Sequence, residues 1–126
     1  MVDSEKISAC VLVIGNEVLS GRTKDANLNW IASRCTDKGI RLAEARVIPD
    51  EEDVIVDAIN ECRQKYNYVF TTGGIGPTHD DITASCVAKA FGVKIERRKE
   101  AVELLETFIK KENLNEARLK MAEMPV

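Results

Sequence analysis

The sequence predicts an α/β domain built on a mostly parallel sheet, and three observations carry that expectation. Residues 9–14 form a continuous apolar run without polar alternation, which is how a strand buried on both faces reads. Strand-like and helix-like segments alternate through the first ninety residues, the pattern of right-handed βαβ crossovers. Glycine-containing segments follow the first and third apolar runs, where a parallel strand hands over to a helix. A length of 126 residues fits one core, so residues 1–126 are read as a single domain.

The first run, 9–14, is expected as the central strand, with a loop over 15–21. Asp25 can cap a helix whose apolar positions Leu28, Ile31, Ala32 and Cys35 recur at helical spacing, and Gly39 ends it. A second strand covers 41–48, more polar than the first and therefore nearer an edge. Asp50 opens a second helix with the stripe Val54, Ile55, Ala58, Ile59 and Cys62. The third strand is 68–72. A helix over 82–91 turns Ala84, Val87, Ala88 and Phe91 inward and stops at Gly92. A short strand at 93–96 follows, then a helix over 100–112 with Val102, Leu105, Phe108 and Ile109 inward, and another over 115–123. Trp30, Tyr66 and Tyr68 read as packing residues.

A net charge of −3 gives no general attraction to nucleic acid or anionic membranes. The one basic run, ending in Arg97, Arg98 and Lys99, is interleaved with Glu96 and Glu100 and reads as a solvated helix entrance. Nucleic acid and membrane are therefore not expected partners. Cys10, Cys35, Cys62 and Cys86 stand far apart among apolar residues, as buried free thiols of a reducing compartment do. Only His79 could join them as a nitrogen ligand, which argues against zinc. The first six residues lack the pattern of a secretory leader, and no apolar run is long enough to span a bilayer, so a cytoplasmic location is expected.

Ligands of open parallel sheets bind beyond the carboxyl ends of the strands, where the strand order reverses. Three segments meet that condition: 15–21, Pro49 with Asp50, and 73–81. In the last, Gly73, Gly74 and Gly76 allow the backbone to approach a phosphate and offer N–H donors. No Gly-Lys-Ser/Thr follows, and the glycine spacing is not that of a dinucleotide fingerprint. The plain alternative is a tight turn that binds nothing. The candidate ligand-binding set is Gly15, Thr72, Gly73, Gly74, Gly76, Pro77, Thr78 and Thr83.

Asp80 and Asp81 put carboxylates where a phosphate loop wants cations. That makes sense if a divalent metal bridges them to the ligand or if one carboxyl takes a proton. Asp81 can equally cap the following helix, as can Thr83, and Asp50 can cap the helix that it opens. Glu17 is solvated, paired with Arg22 or Lys24, or bound to metal. His79 is a base, a phosphate donor or merely exposed. Asp25 and Asn27 divide between capping and ligand contact.

Together the segments Val13-Ile14-Gly15-Asn16-Glu17-Val18-Leu19-Ser20-Gly21, Asp25-Ala26-Asn27, Val47-Ile48-Pro49-Asp50 and Thr71-Thr72-Gly73-Gly74-Ile75-Gly76-Pro77-Thr78-His79-Asp80-Asp81-Ile82-Thr83 resemble the molybdopterin-binding domain of the MoaB/Mog-like, molybdenum-cofactor biosynthesis type. The nearest form is the CinA-type branch, also found at the N-terminus of some eukaryotic FAD synthases. The resemblance implies a three-layer α/β/α fold, usually oligomeric, that binds a pterin or an adenine nucleotide. In the Mog-like branch, which adenylylates molybdopterin with magnesium and ATP, two functional aspartates match Asp50 and Asp81. In the CinA-type branch the implied chemistry is hydrolysis of a nucleotide pyrophosphate such as ADP-ribose or FAD, assisted by magnesium, manganese or cobalt. Glu17 and Asp80 are then our candidates for the metal. A non-catalytic oligomerisation module is the third possibility.

The family pattern continues past Met124-Pro125-Val126 through further strands, so a C-terminal part of the domain is expected to be missing. Asn16 stands where the family's Gly-Asp-Glu motif carries Asp, which removes one carboxylate.

Overall fold

The computed structural model describes residues 7–126; the stretch 1–6, on which the leader reading rests, lies outside them. The chain divides into two compact units, the first ending at Gly73 and the second beginning at Gly74.

The first unit is the parallel α/β part. It runs β1 (Ser8–Ile14), α1 (Asn16–Leu19), α2 (Asn27–Asp37), β2 (Arg41–Ile48), α3 (Glu52–Lys65) and β3 (Tyr68–Thr72). The sheet order is β2-β1-β3 with both pairings parallel, so β1 is central and β2 an edge, as its polarity predicts. The crossover from β1 to β2 runs one way along the sheet and that from β2 to β3 runs back past β1. Right-handed connections therefore put α2 and α3 on opposite faces. This is why β1 carries no polar alternation: every residue from Ala9 to Ile14 is buried. On β2 half-buried residues alternate with exposed ones until Ile48.

The α3 stripe holds as expected, with Ile55, Ala58, Ile59 and Cys62 buried. Full burial of a side chain such as Ile55 contributes about 1.5–3 kcal/mol. Asp25 does cap α2, accepting from the amides of Asn27 at 3.2 Å and Leu28 at 3.0 Å. Three expectations change. The 15–21 loop contains the helical turn α1. Asp50 is not in α3, which starts two residues later without any side-chain cap. Trp30 is 61% exposed under the Arg34 guanidinium, 5.0 Å from the ring centre, and Tyr68 is exposed and stacked with Phe70, so neither is core.

The second unit contains α4 (Thr83–Phe91), β4 (Ile95–Arg97), α5 (Lys99–Phe108), α6 (Glu116–Leu119) and β5 (Glu123–Pro125), with short 3-10 turns at Lys111–Asn113 and Lys120–Ala122. β4 and β5 pair antiparallel, Glu96 opposite Met124. Arg98 N to Ala122 O at 2.9 Å and Val126 N to Lys94 O at 2.8 Å close the two ends of that pairing.

Gly92 ends α4 in the left-handed conformation, as predicted. The buried face of α4 is rotated from the expected one: Thr83, Cys86, Ala88 and Ala90 are buried while Phe91 is half exposed. Helix α5 stops at Phe108, which is 80% exposed. The expected helix over 115–123 shrinks to one turn, capped by Asn115 accepting from Arg118 N at 2.8 Å; Lys120–Ala122 form a 3-10 turn and Glu123 begins β5. The basic run is strand β4 rather than a helix entrance over 95–97, and its charges are matched: Arg97 with Glu116 at 2.8 Å, Arg98 with Glu100 at 3.4 Å. Among the described residues no helix is long and apolar enough to cross a membrane.

Candidate functional site

In the first unit the candidate residues gather at the carboxyl ends of the strands. Gly15 leaves β1 with its amide on Ile48 O of β2 at 3.0 Å, which brings the two strand ends together. A reciprocal pair then locks them: Asn16 N donates to Asp50 Oδ2 at 3.2 Å, and Asp50 N donates to Asn16 Oδ1 at 3.3 Å. Asp50 is thus a brace between two loops rather than a helix cap. Asn16, which departs from the family motif, supplies the oxygen that completes the brace. The Glu17 carboxylate folds back over Gly15, where an added Cβ would lie 2.5 Å from Oε1.

Thr72 ends β3 opposite Val13. At Gly73 a side chain can be added only if the backbone shifts. Its φ is +89°, and a Cβ there would lie 2.0 Å from the backbone oxygen of Ile14.

In the second unit the segment from Gly74 turns tightly into α4. Gly74 has φ +67°, its carbonyl accepts from Thr83 N at 3.0 Å, and a Cβ would strike Thr83 Oγ1. Thr83, a candidate ligand residue, is buried in this closure. Asp81 is likewise not a helix cap. Its Oδ2 accepts from the Thr78 amide at 2.9 Å and the Thr78 hydroxyl at 2.8 Å, and it lies over Gly76. Partial burial opposes ionisation of this carboxyl, but the Thr78 hydroxyl and amide, the Gly76 amide and the nearby Lys120 charge outweigh it and hold the pKa below the ordinary value. Asp81 is therefore anionic at neutral pH. Pro77 is half-buried in the same turn. Asp80 and His79 point into solvent and pair loosely with each other at 3.3 Å.

Lys120 is the residue that sequence reasoning missed. Its Nζ donates to the carbonyl of Thr78 and, at 2.6 Å, to that of Asp81, so one cation fixes the turn from the far end of the unit. An isolated lysine in a segment read as helix carries no signal of this. Beside the turn lies a cavity of about 480 Å³. Ile75, Ile95, Met121 and Met124 give it apolar walls, and Asp81, Lys120 and Glu123 are its charged groups. Among the described residues, neither Glu17 nor Asp80 stands in a group of three metal-ligating side chains.

A central parallel strand and glycine turns at strand ends define a parallel α/β domain. Residues 10–124 match the family described as "Probable molybdopterin binding domain", and the chain belongs to that family. A protein from Pyrobaculum aerophilum is 40% identical over 119 residues, 93% of this chain and 45% of its own length. One from Saccharolobus islandicus is 41% identical over 118 residues, 91% of this chain and 45% of its own. The chain thus spans less than half the length of these relatives.

Among solved structures, the CinA protein of Thermoplasma acidophilum, described as of unknown function, superimposes with a TM-score of 0.86 at 32% identity, covering 95% of this chain and 71% of that one. The molybdopterin biosynthesis enzyme MoaB of Thermus thermophilus gives a TM-score of 0.64 at 16% identity over 89% of this chain and 70% of that one, a likeness of fold.

Proposed function

We propose that this domain binds a pterin or an adenine nucleotide through the 74–81 turn and the cavity beside it, as in the molybdenum-cofactor type of its family. The observation that carries the reading is the cavity itself. At about 480 Å³ it lies in the size range of small-molecule sites, with apolar walls for a flat heteroaromatic ring and a few fixed polar groups to orient it. The anionic Asp81 accepts from the adjacent amino and ring N–H groups of a pterin, or from the amino group of an adenine. A phosphate here needs a counter-charge, and Lys120 Nζ supplies one at the carbonyls of Thr78 and Asp81. Gly15, Thr72 and Gly73, with the catalytic candidate Asp50, belong to the same proposal as strand-end residues of the first unit. So does assembly into a homo-oligomer.

The test is thermal stability with AMP, ADP-ribose, FAD and a phosphorylated pterin. Ligand at a hundred times its dissociation constant stabilises the native state by about 2.7 kcal/mol. No rise in Tm with any of the four would sink the reading and leave a non-catalytic module.

A second reading is a metal-dependent nucleotide pyrophosphohydrolase, the chemistry that the CinA-type resemblance of the sequence motifs implies. Glu17 and Asp80 offer carboxylate oxygens of the kind that magnesium or manganese takes. Asp80 suits it better, because its side chain is 80% exposed and only loosely paired, 3.3 Å from the His79 ring nitrogen. Turnover of ADP-ribose or FAD with magnesium, manganese or cobalt, lost in Asp81→Asn, separates hydrolysis from binding alone.

A further inference from the structure

We infer that Cys10 and Cys62 form a dithiol that peroxide converts into a disulfide joining β1 to α3. The two residues stand 52 positions apart, and nothing in their spacing connects them. The fold brings Sγ to Sγ at 3.1 Å, with both residues wholly buried. That separation is about 1 Å longer than an S–S bond, so a small shift of the two side chains closes it. Cys35 and Cys86 are also buried and in no disulfide.

The pair lies one side chain below the surface. A Glu44 carboxylate oxygen is within 4.8 Å of both sulfurs, and the Glu44 side chain is 29% exposed. This polar column gives a small neutral oxidant its approach. The three groups could also suggest a thiophilic cation, but Glu44 is already committed. Its Oε2 accepts from Arg46 Nε at 2.7 Å and its Oε1 from the Tyr66 hydroxyl at 2.6 Å. An incoming cation would meet the Arg46 guanidinium beside it, whereas a neutral disulfide leaves this network intact. Burial, reinforced by the hydrogen bond with Cys62, pushes the Cys10 thiol up to about 12, so the pair persists as thiols until an oxidant arrives and reacts slowly when it does.

In the reaction, one thiolate attacks a peroxide oxygen, the O–O bond breaks, and a sulfenic acid and water result. The second sulfur attacks the sulfenic sulfur, the S–O bond breaks, and a second water leaves. Two thiols lose two electrons and two protons, and one hydrogen peroxide becomes two waters.

The experiment treats the full chain with hydrogen peroxide, blocks remaining thiols by alkylation and maps non-reduced peptides by mass. The expected product is a single Cys10–Cys62 linked peptide and the loss of two of the four thiols. Closing a loop of this size raises Tm by roughly 10 °C, reversed by dithiothreitol. Cys62→Ala should show neither the linkage nor the rise. Peroxide that leaves all four thiols intact even close to Tm, where the core opens, overturns the inference. So does oxidation that stops at sulfinic acid, or a linkage to Cys35 or Cys86. One equivalent of zinc in the purified protein, lost in Cys62→Ala, would assign the cluster to metal instead. The mapping on the unmutated chain stands even if the variant folds poorly.

Discussion

Replacing Gly73 by alanine tests whether the join between β3 and the following turn is made by close backbone approach or only by local conformation. Gly39 is the control, since its φ of +74° is similar but a Cβ there meets nothing within 4 Å. Gly39→Ala therefore carries the left-handed strain alone, about 1–2 kcal/mol. Gly73→Ala carries the same strain plus a Cβ 2.0 Å from Ile14 O. Relief requires moving the end of β1 by about 1 Å, and that end is buried and followed at once by the Gly15 amide bond to Ile48 O. Losing one or two such buried bonds adds about 1–3 kcal/mol each, so the total reaches roughly 2–8 kcal/mol. Both glycines lie in the first unit, so urea unfolding compares like with like. With an m-value of about 1–3 kcal/mol per M, Gly73→Ala should unfold at least about 0.3 M earlier than Gly39→Ala at unchanged m. Two variants equal within 0.5 kcal/mol would refute the close approach.

The Asp81 carboxyl has a lowered pKa, so its contribution to stability is full above the ordinary value of 3.8 and is lost as pH falls through the lower folded value. Asp81→Asn should remove that acid-side loss, and parallel Tm curves for the two proteins from pH 5 to 2 would contradict it. Lys120→Met leaves the carbonyls of Thr78 and Asp81 without their donor and should weaken ligand binding about tenfold, read by calorimetry against AMP or the pterin. Asp50→Ala removes one bond of the loop brace and should cost about 1 kcal/mol, with faster hydrogen exchange at the Asn16 amide; unchanged exchange there would show that the brace is dispensable.

The parallel sheet was legible because its signals are local. Uninterrupted apolar character marks β1, alternation marks β2, and glycine after an apolar run marks a strand end. The glycine loop was legible for the same reason, since Gly73 and Gly74 both adopt the positive φ that only glycine takes easily. The part beyond residue 92 was read less well. Its strands are three residues each and pair with partners some 28 positions away, so neither length nor period announces them. Side-chain roles failed where a short polar residue had two uses. Asp50 and Asp81 both precede helices and both looked like caps, yet each turns to a loop amide, and the choice between those partners is made by tertiary structure. Lys120 and the Cys10–Cys62 pair depend on separations of 39 and 52 residues and left no trace in the sequence.

The pairing of β4 with β5 has a consequence for the order in which the second unit is made. The connection from 98 to 122 must be in place before Met121 and Met124 reach the cavity, so that wall is a long-range closure, while the 74–85 side is local and forms early. The unfinished unit then has a turn and a helix but no enclosed site. A molecule bound in the cavity holds the late segment against the early one and acts as a clasp on the last step of assembly. Its presence should be felt first as slower detachment of residues 120–126, ahead of any change in α4.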